Sequence, residues 1–296
     1  MASCLLNVRN HSFRFLGLDM PHHTIVNRLE KIRSKQPWLV LSADEKFSVA
    51  QSNNPAISHF YSFKANKDVG ETFAIPDGCV DVLFDCDATC PTAGVFGTPM
   101  SAIDVNLKSQ HQYFGVRFAS GVIPDCLKVS AEELIEHHFD LIEVVPHANQ
   151  LFEAIINEKN FASQVATFHQ FFAGIQNRVV SPLTRLVVNH IFEQQGNVRI
   201  NALAAETGYT TRTIQRQFRA DMGMSPKAFG RIIRCQAAVY HINHSDDVVF
   251  SDMAFDLGFS DQSHFLREFK KLVKATPMAY QNQVKQQTYY GRIQHF

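Results

Sequence analysis

The chain has 296 residues, and its 28 Lys and Arg cancel its 28 Asp and Glu. With 45% apolar and 19% charged residues it can fill real cores, which excludes disordered, collagen-like and disulfide-scaffold classes, and its length predicts two domains rather than one. No apolar run approaches the roughly 18–20 residues of a membrane span, and the start, Met1-Ala2-Ser3-Cys4-Leu5-Leu6-Asn7, is broken by Asn7 and Arg9 before a signal-peptide core forms, so a cytoplasmic location with no membrane partner is expected.

In chain order, residues 22–36 read as a short amphipathic helix. From about 70 to 120 the pattern has period two: Val80, Val82 and Phe84 alternate with Asp81, Leu83 and Asp85, and Ile103, Val105 and Leu107 alternate with Asp104, Asn106 and Lys108. A third run pairs Phe114, Val116 and Phe118 with Tyr113, Gly115 and Arg117. These predict half-buried strands. Breakers at Pro76-Asp77-Gly78, Pro91-Thr92-Ala93-Gly94, Gly97-Thr98-Pro99 and Ser120-Gly121 divide them into a β-sandwich or small barrel. The six cysteines, at 4, 79, 86, 90, 126 and 235, are too irregular for a disulfide framework, so free thiols are expected. Cys79, Cys86 and Cys90 lie close in sequence, but their spacing is not a zinc pattern and no fourth ligand declares itself.

After Pro124 the period lengthens. Ser130-Ala131-Glu132-Glu133 has capping-box spacing and predicts a helix start. Asn149–Asn157, Phe161–Ile175 and Pro182–Gln195 read as helices, either a dimer interface or plain packed core. The neutral total conceals an asymmetry: residues 197–296 hold 13 Lys/Arg against 8 Asp/Glu, a balance of +5, and residues 1–196 hold −5. A basic C-terminal third points toward nucleic acid, although five excess charges also fit a solvated face.

That third contains an internal repeat. Ala204-x3-Gly208-x5-Ile214-x-Arg216-x-Phe218 recurs as Ala254-x3-Gly258-x6-Phe265-x-Arg267-x-Phe269. In each copy a small Ala lets a second helix cross closely, Gly supplies the positive φ of a tight turn, and a capping residue starts the next helix. The caps are Thr210 in the first copy and Ser260 or Asp261 in the second. This spacing predicts two helix-turn-helix units. On the first recognition helix Ile214 and Phe218 face the core, with Arg212, Gln215, Arg216 and Arg219 opposite; on the second Phe265 and Phe269 face the core and Ser263, Leu266, Arg267 and Lys270 turn outward, with Gln262 on the first turn. Arg and Gln on an exposed helix face suit bidentate contacts to guanine and adenine edges. Between the copies Ser225-Pro226 opens a helix running to Ile242, about 17 residues or roughly 25 Å. A helix of that length can hold two recognition helices about one DNA turn (~34 Å) apart. The tail from Gln286 carries no usable pattern.

Residues 197–281 resemble the double helix-turn-helix domain of the AraC/XylS family of bacterial transcription regulators. The matching pieces are Leu203-Ala204 with Gly208, Thr210 to Phe218, Gly223-Met224-Ser225-Pro226, Arg234 with Ala238, Met253-Ala254 with Gly258 to Phe265, Arg267 with Phe269-Lys270, and Thr276-Pro277 with Tyr280. Cys235 stands where Leu is usual, and Lys274-Ala275 replaces the familiar Gly before Thr-Pro. The resemblance implies an α+β protein: a cupin-like β-sandwich with helices over residues 1–145, helical linker or dimerisation segments over 146–196, an all-α DNA-binding domain over 197–285 with two helix-turn-helix motifs joined by a long linker helix, and a tail at 286–296.

It further implies base reading by Arg212, Gln215, Arg216, Gln262, Ser263 and Arg267. Thr210, Arg219 and Lys270 sit at a cap or helix flank and suit phosphate. The implied partners are double-stranded promoter DNA, a small-molecule effector at the N-terminal domain, RNA polymerase and a second copy of the chain, with activation of transcription and no catalysis. The segment from Ile75 to Phe84 resembles a motif in the sensory half of some of these regulators, which makes Asp77 and Asp81 candidate effector ligands; read alone, Pro-Asp-Gly is a turn and a strand-alternating Asp marks an exposed face. No cofactor or metal is expected, because His59, His111, His137 and His138 lack the H-x-H spacing of a cupin metal site. Two readings stand beside the effector-controlled regulator: a DNA-binding regulator whose N-terminal half only dimerises or binds a partner, and a cupin-type metalloenzyme fused to a DNA-binding domain. A DNA-alkylation repair protein with the same DNA-binding domain is disfavoured by the missing four-cysteine zinc pattern.

Overall fold

A computed structural model describes residues 36–67, 71–245, 247–287 and 289–296, so the helix expected at 22–36 falls almost wholly outside the described residues. A short helix α1 (Pro37–Leu41), buried at all five positions, leads into a hairpin of two nine-residue strands, β1 (Ala43–Gln51) and β2 (Ile57–Ala65). The period-two stretch becomes β3 (Phe73–Ala74), β4 (Asp81–Asp85), β5 (Thr92–Phe96), β6 (Ile103–Asp104) and β7 (Gln112–Phe118), followed by β8 (His138–Asp140). The strand expected through Leu107 lasts only two residues, because its partner β3 is equally short.

Ser130 and Glu133 close their reciprocal capping box, at 3.1 Å from the Glu133 N–H to Ser130 Oγ and 2.7 Å from the Ser130 N–H to the Glu133 carboxylate. No helix follows. Glu136 takes φ +63° and donates its N–H to the Thr98 carbonyl, so the chain leaves the helical path after one turn. Helices then appear where the 3.6-residue pattern placed them: after a short α2 (Leu141–Val144) come α3 (Ala148–Asn157), α4 (Phe161–Phe172) and α5 (Pro182–Glu193). The basic third forms α6 (Ile200–Thr207), α7 (Thr211–Met222), α8 (Pro226–His244), α9 (Phe250–Asp256), α10 (Gln262–Val273) and α11 (Pro277–Gln286).

The patternless tail also has structure. It forms α12 (Tyr289–Arg292) and β9 (Ile293–His295), which lies parallel to β1 with Ile293 opposite Phe47, while Arg292 donates to the Ala43 carbonyl at 2.6 Å. Among the described residues the main sheet thus has seven strands in the order β8-β5-β4-β7-β2-β1-β9, and β3 and β6 make a separate ribbon.

Alternation along the strands sets the two faces of the sheet. Phe60, Val82, Phe84, Phe114, Val116 and Phe118 point to one side, where Leu151 and Ile155 of α3 and Phe168 and Phe172 of α4 cover them. Phe47, Tyr61, Phe63 and Tyr113 point to the other, and their core continues through Trp38 to Phe229, Phe269 and Tyr280 of the helical third. The sheet is therefore buried on both sides, and the helical third packs against its second face.

That burial overturns the reading of Asp81 as an exposed strand position, and Asp77, in the Pro-Asp-Gly turn, is buried as well. Arg117, 4% exposed at its side chain, donates to both Asp81 oxygens at 2.9–3.1 Å and lies 3.5 Å from the Asp77 carboxylate. Tyr61 donates to Asp81 at 3.3 Å, and Gln36 donates to Asp77 at 3.0 Å. Two carboxylates share one guanidinium, and burial pushes the Asp81 carboxyl up to about 6 while Arg117 opposes that rise.

Candidate nucleic-acid interface

The first unit is built as its sequence dictates. α6 ends at Gly208 (φ +72°), a left-handed position that an L side chain enters only with strain, and Gly258 (φ +71°) occupies the equivalent place in the second unit. Thr210 then caps α7, accepting from the Thr213 N–H at 3.1 Å. Ile214, Phe218 and Met222 are buried, and Arg212, Gln215, Arg216 and Arg219 are exposed along the opposite face. Phe218 packs on Phe229, which holds α7 against α8.

One fastening was not foreseen. Asp221, at the inner end of α7, accepts from the Ser181 backbone at 3.0 Å and from Ser181 Oγ at 2.7 Å, tying the helix to the start of α5. Burial opposes its charge, but hydrogen bonds from Thr184, Ser181 and Gln217 outweigh that and hold its carboxyl below the ordinary range. Only its i, i+4 partner Gln217 was available as a sequence signal.

Ser225 and Pro226 start the linker helix as expected, Ser225 accepting from the Ala228 N–H, and α8 runs 19 residues to His244. Cys235 is buried in it, and burial pushes its thiol up to about 12. In the second unit Asp261, not Ser260, caps α10, accepting from the His264 N–H at 2.7 Å, while Ser260 donates to the Asp261 carboxylate. Those bonds from His264 and Ser260 hold the Asp261 carboxyl low. Phe265, Phe269, Leu272 and Val273 are buried; Gln262, Ser263, Leu266, Arg267 and Lys270 are exposed. Lys274 adopts φ +64° at the end of α10 where the family pattern has Gly, and its ammonium lies 5.5 Å above the Phe73 ring.

All nine residues expected to face nucleic acid are thus exposed, six on the outer faces or first turns of α7 and α10 and the rest at a cap or flank. The sheet domain touches the opposite ends of these helices. Trp38 donates its indole N–H to the Val273 carbonyl at 2.9 Å, the Ala102 N–H reaches the Lys271 carbonyl, and Gly223 packs against the Ala131 backbone. Pro76 and Gly78 contact Gln236 and Phe229 of α8.

Other candidates lie apart. Asp77 and Asp81 form the buried cluster with Arg117. Cys79 is buried, Cys90 is exposed, and Cys86 is half-buried with its thiol pushed up to about 11 by burial. A cleft of about 660 Å³ lies between the sheet and the α3–α4 connection, lined among others by Ser62, Lys64, Gln112, Glu158, Asn160 and Gln164. No described helix is long and apolar enough to cross a membrane.

Comparison with known proteins matches residues 203–283 to a family described as a helix-turn-helix domain, and residues 51–140 to a domain of unknown function (DUF6597). The probable bifunctional transcriptional activator/DNA repair enzyme AlkA of Mycobacterium tuberculosis is 31% identical over 106 residues, 36% of this chain and 21% of that protein. The HTH-type transcriptional activator RhaS of Klebsiella pneumoniae is 33% identical over 69 residues, 23% of this chain and 24% of the relative. The chain therefore spans less than a quarter of either relative's length. Among solved structures, apo ToxT of Vibrio cholerae aligns with 80% of this chain and 96% of its own, at 14% identity and a TM-score of 0.38. Taken with the paired Gly208 and Gly258 turns and the capped helices that follow them, the domain match shows that the C-terminal third of the chain is a helix-turn-helix domain.

Proposed function

We propose that the protein binds double-stranded promoter DNA by placing α7 and α10 in adjacent major grooves, and that it regulates transcription there, as an activator, without catalysing a reaction. The observation that carries this reading is the exposure of Arg212, Gln215, Arg216, Gln262, Ser263 and Arg267 on two helices whose apolar faces are fixed in one core. Arg212, Arg216 and Arg267 supply guanidinium forks for guanine, Gln215 and Gln262 supply amides for adenine, and Ser263 is a short hydroxyl contact. Thr210, Arg219 and Lys270 contact phosphate and set the register. Two base-reading Arg on α7 against one on α10 give the first helix the larger share of specificity.

A small effector acts at the N-terminal domain in this reading, and the polar cleft beside α4 is the candidate site for it. Asp77 and Asp81 contribute as anchors of the turn that touches α8, rather than as open ligands. The test is selection from a random-sequence duplex pool by the full chain. Enrichment of a site with two halves about one helical turn apart supports the reading, and no enrichment at low salt defeats it.

A further inference from the structure

We infer that Arg234, in the middle of the linker helix, is the residue that sets the distance and angle between the two recognition helices; this rests on the reading of α7 and α10 as DNA-reading helices. Its guanidinium donates one N–H to the Gly196 carbonyl at 3.0 Å and another to the Gly258 carbonyl at 3.2 Å. Gly196 precedes α6 of the first unit, and Gly258 is the turn of the second. A single planar group therefore bonds at once to the segment that leads from α5 into the first unit and to the turn of the second, from the helix that joins the two units.

The joint is closely packed around that group. Gly196 sits at φ +84°, and a Cβ there would fall 2.2 Å from the Gly230 carbonyl oxygen and 2.5 Å from the Arg234 backbone nitrogen, so the chain before α6 lies directly on α8. A Cβ on Gly258 would meet the Asn197 amide at 2.2 Å, so the same segment also touches the second turn. The Arg234 guanidinium lies 5.0 Å from the centre of the Phe259 ring, which fixes its plane. Lysine cannot replace this geometry, because an ammonium lacks the flat fork that reaches two carbonyls in fixed directions.

Arg234 is a positioning residue: it contacts no DNA in this reading, and its effect appears only when both halves of a site are engaged. A helix that is merely stable would affect each half alike. Spacing control affects only their combination.

The experiment uses the full chain with three duplexes derived from the site the wild type selects: the intact site, the site with one half scrambled, and the site with one base pair inserted between halves. Wild type should lose at least tenfold on the insertion. Arg234→Ala should bind the half-scrambled duplex within twofold of wild type, lose at least tenfold on the intact site, and show an insertion penalty below threefold, with Arg234→Lys intermediate. Circular dichroism controls the fold of both variants. Equal losses on the intact and half-scrambled duplexes, or no loss on either, would overturn the inference, as would loss of helical signal in Arg234→Lys as well as Arg234→Ala. If wild type itself selects no site, the functional reading fails first and this inference with it.

Discussion

Gln236, fully buried in the linker helix, donates its side-chain amide to the carbonyl of Pro76 at 2.8 Å, across 160 residues of sequence. The Pro76–Gly78 turn is thereby one point at which the sheet domain grips the helix that joins both recognition units, and Arg231, donating to the Met100 carbonyl, is another. Behind it stand Asp77, Arg117 and Asp81, so a turn that reads as a loop signal in sequence is the inner wall of an interdomain contact.

Breaking that contact should uncouple the domains. Gln236→Leu keeps the volume roughly constant and leaves the Pro76 carbonyl without this donor, a cost of about 1–3 kcal/mol for a buried polar group. We expect faster amide exchange in α8 and a urea transition that broadens or separates into two, with the sheet domain still folded. Unchanged exchange in α8 would show that the bond carries no coupling.

Base-reading and phosphate-contacting residues should separate in binding measurements. Arg216→Ala is expected to lose about 1–3 kcal/mol on the selected site and to relax preference at one position. Lys270→Ala should weaken all duplexes alike and lower the slope of log K against log salt by roughly 1. Identical behaviour of the two variants would remove the assignment.

The Asp81 carboxyl predicts a pH effect. Burial is the largest cause of its rise to about 6, Arg117 opposes it, and Asp77 adds to it, with Tyr61 also facing the group. An unfolded Asp titrates near 3.9, so the folded protein holds the extra proton between about pH 4 and 6. Its stabilising contribution is present below that window and is lost as pH rises through 6. The stability of wild type minus that of Asp81→Asn should therefore grow, on the order of 1–3 kcal/mol, as pH falls from 7 to 4.5 in urea titrations. A difference that stays flat or shrinks counts against a buried, proton-binding Asp81.

The caps offer a local check. Thr210→Ala should cost about 1 kcal/mol of stability. It should also weaken DNA binding beyond that loss, because Thr210 is proposed to contact phosphate as well as to cap α7. Asp261→Ala should lower the melting temperature in the same direction, while Ser260→Ala should change it less, since Asp261 is the residue that accepts the helix N–H.

Local chemistry made the C-terminal third legible: Gly208, Thr210, Ser225 and Gly258 each specify a turn or cap within four residues, and 3.6-residue spacing separates Ile214 and Phe218 from Arg212 and Arg216. Long-range pairing was not legible. Nothing near Asp81 announces Arg117, 36 residues away, so its strand alternation looked like an exposed face. The tail was opaque because β9 is three residues long and becomes a strand only through β1. The Ser130 box correctly marked a capped turn, but helix continuation depended on Glu136 and its tertiary bond to Thr98.

The central claim is that one chain reads two adjacent major grooves, and guanine-methylation interference on the selected duplex tests it most directly. Methylation at N7 obstructs the major groove, so interference should fall in two clusters about one helical turn apart on one face of the duplex. Arg216→Ala should erase contacts in one cluster and Arg267→Ala in the other. A single cluster, or loss of the same cluster in both variants, would contradict it.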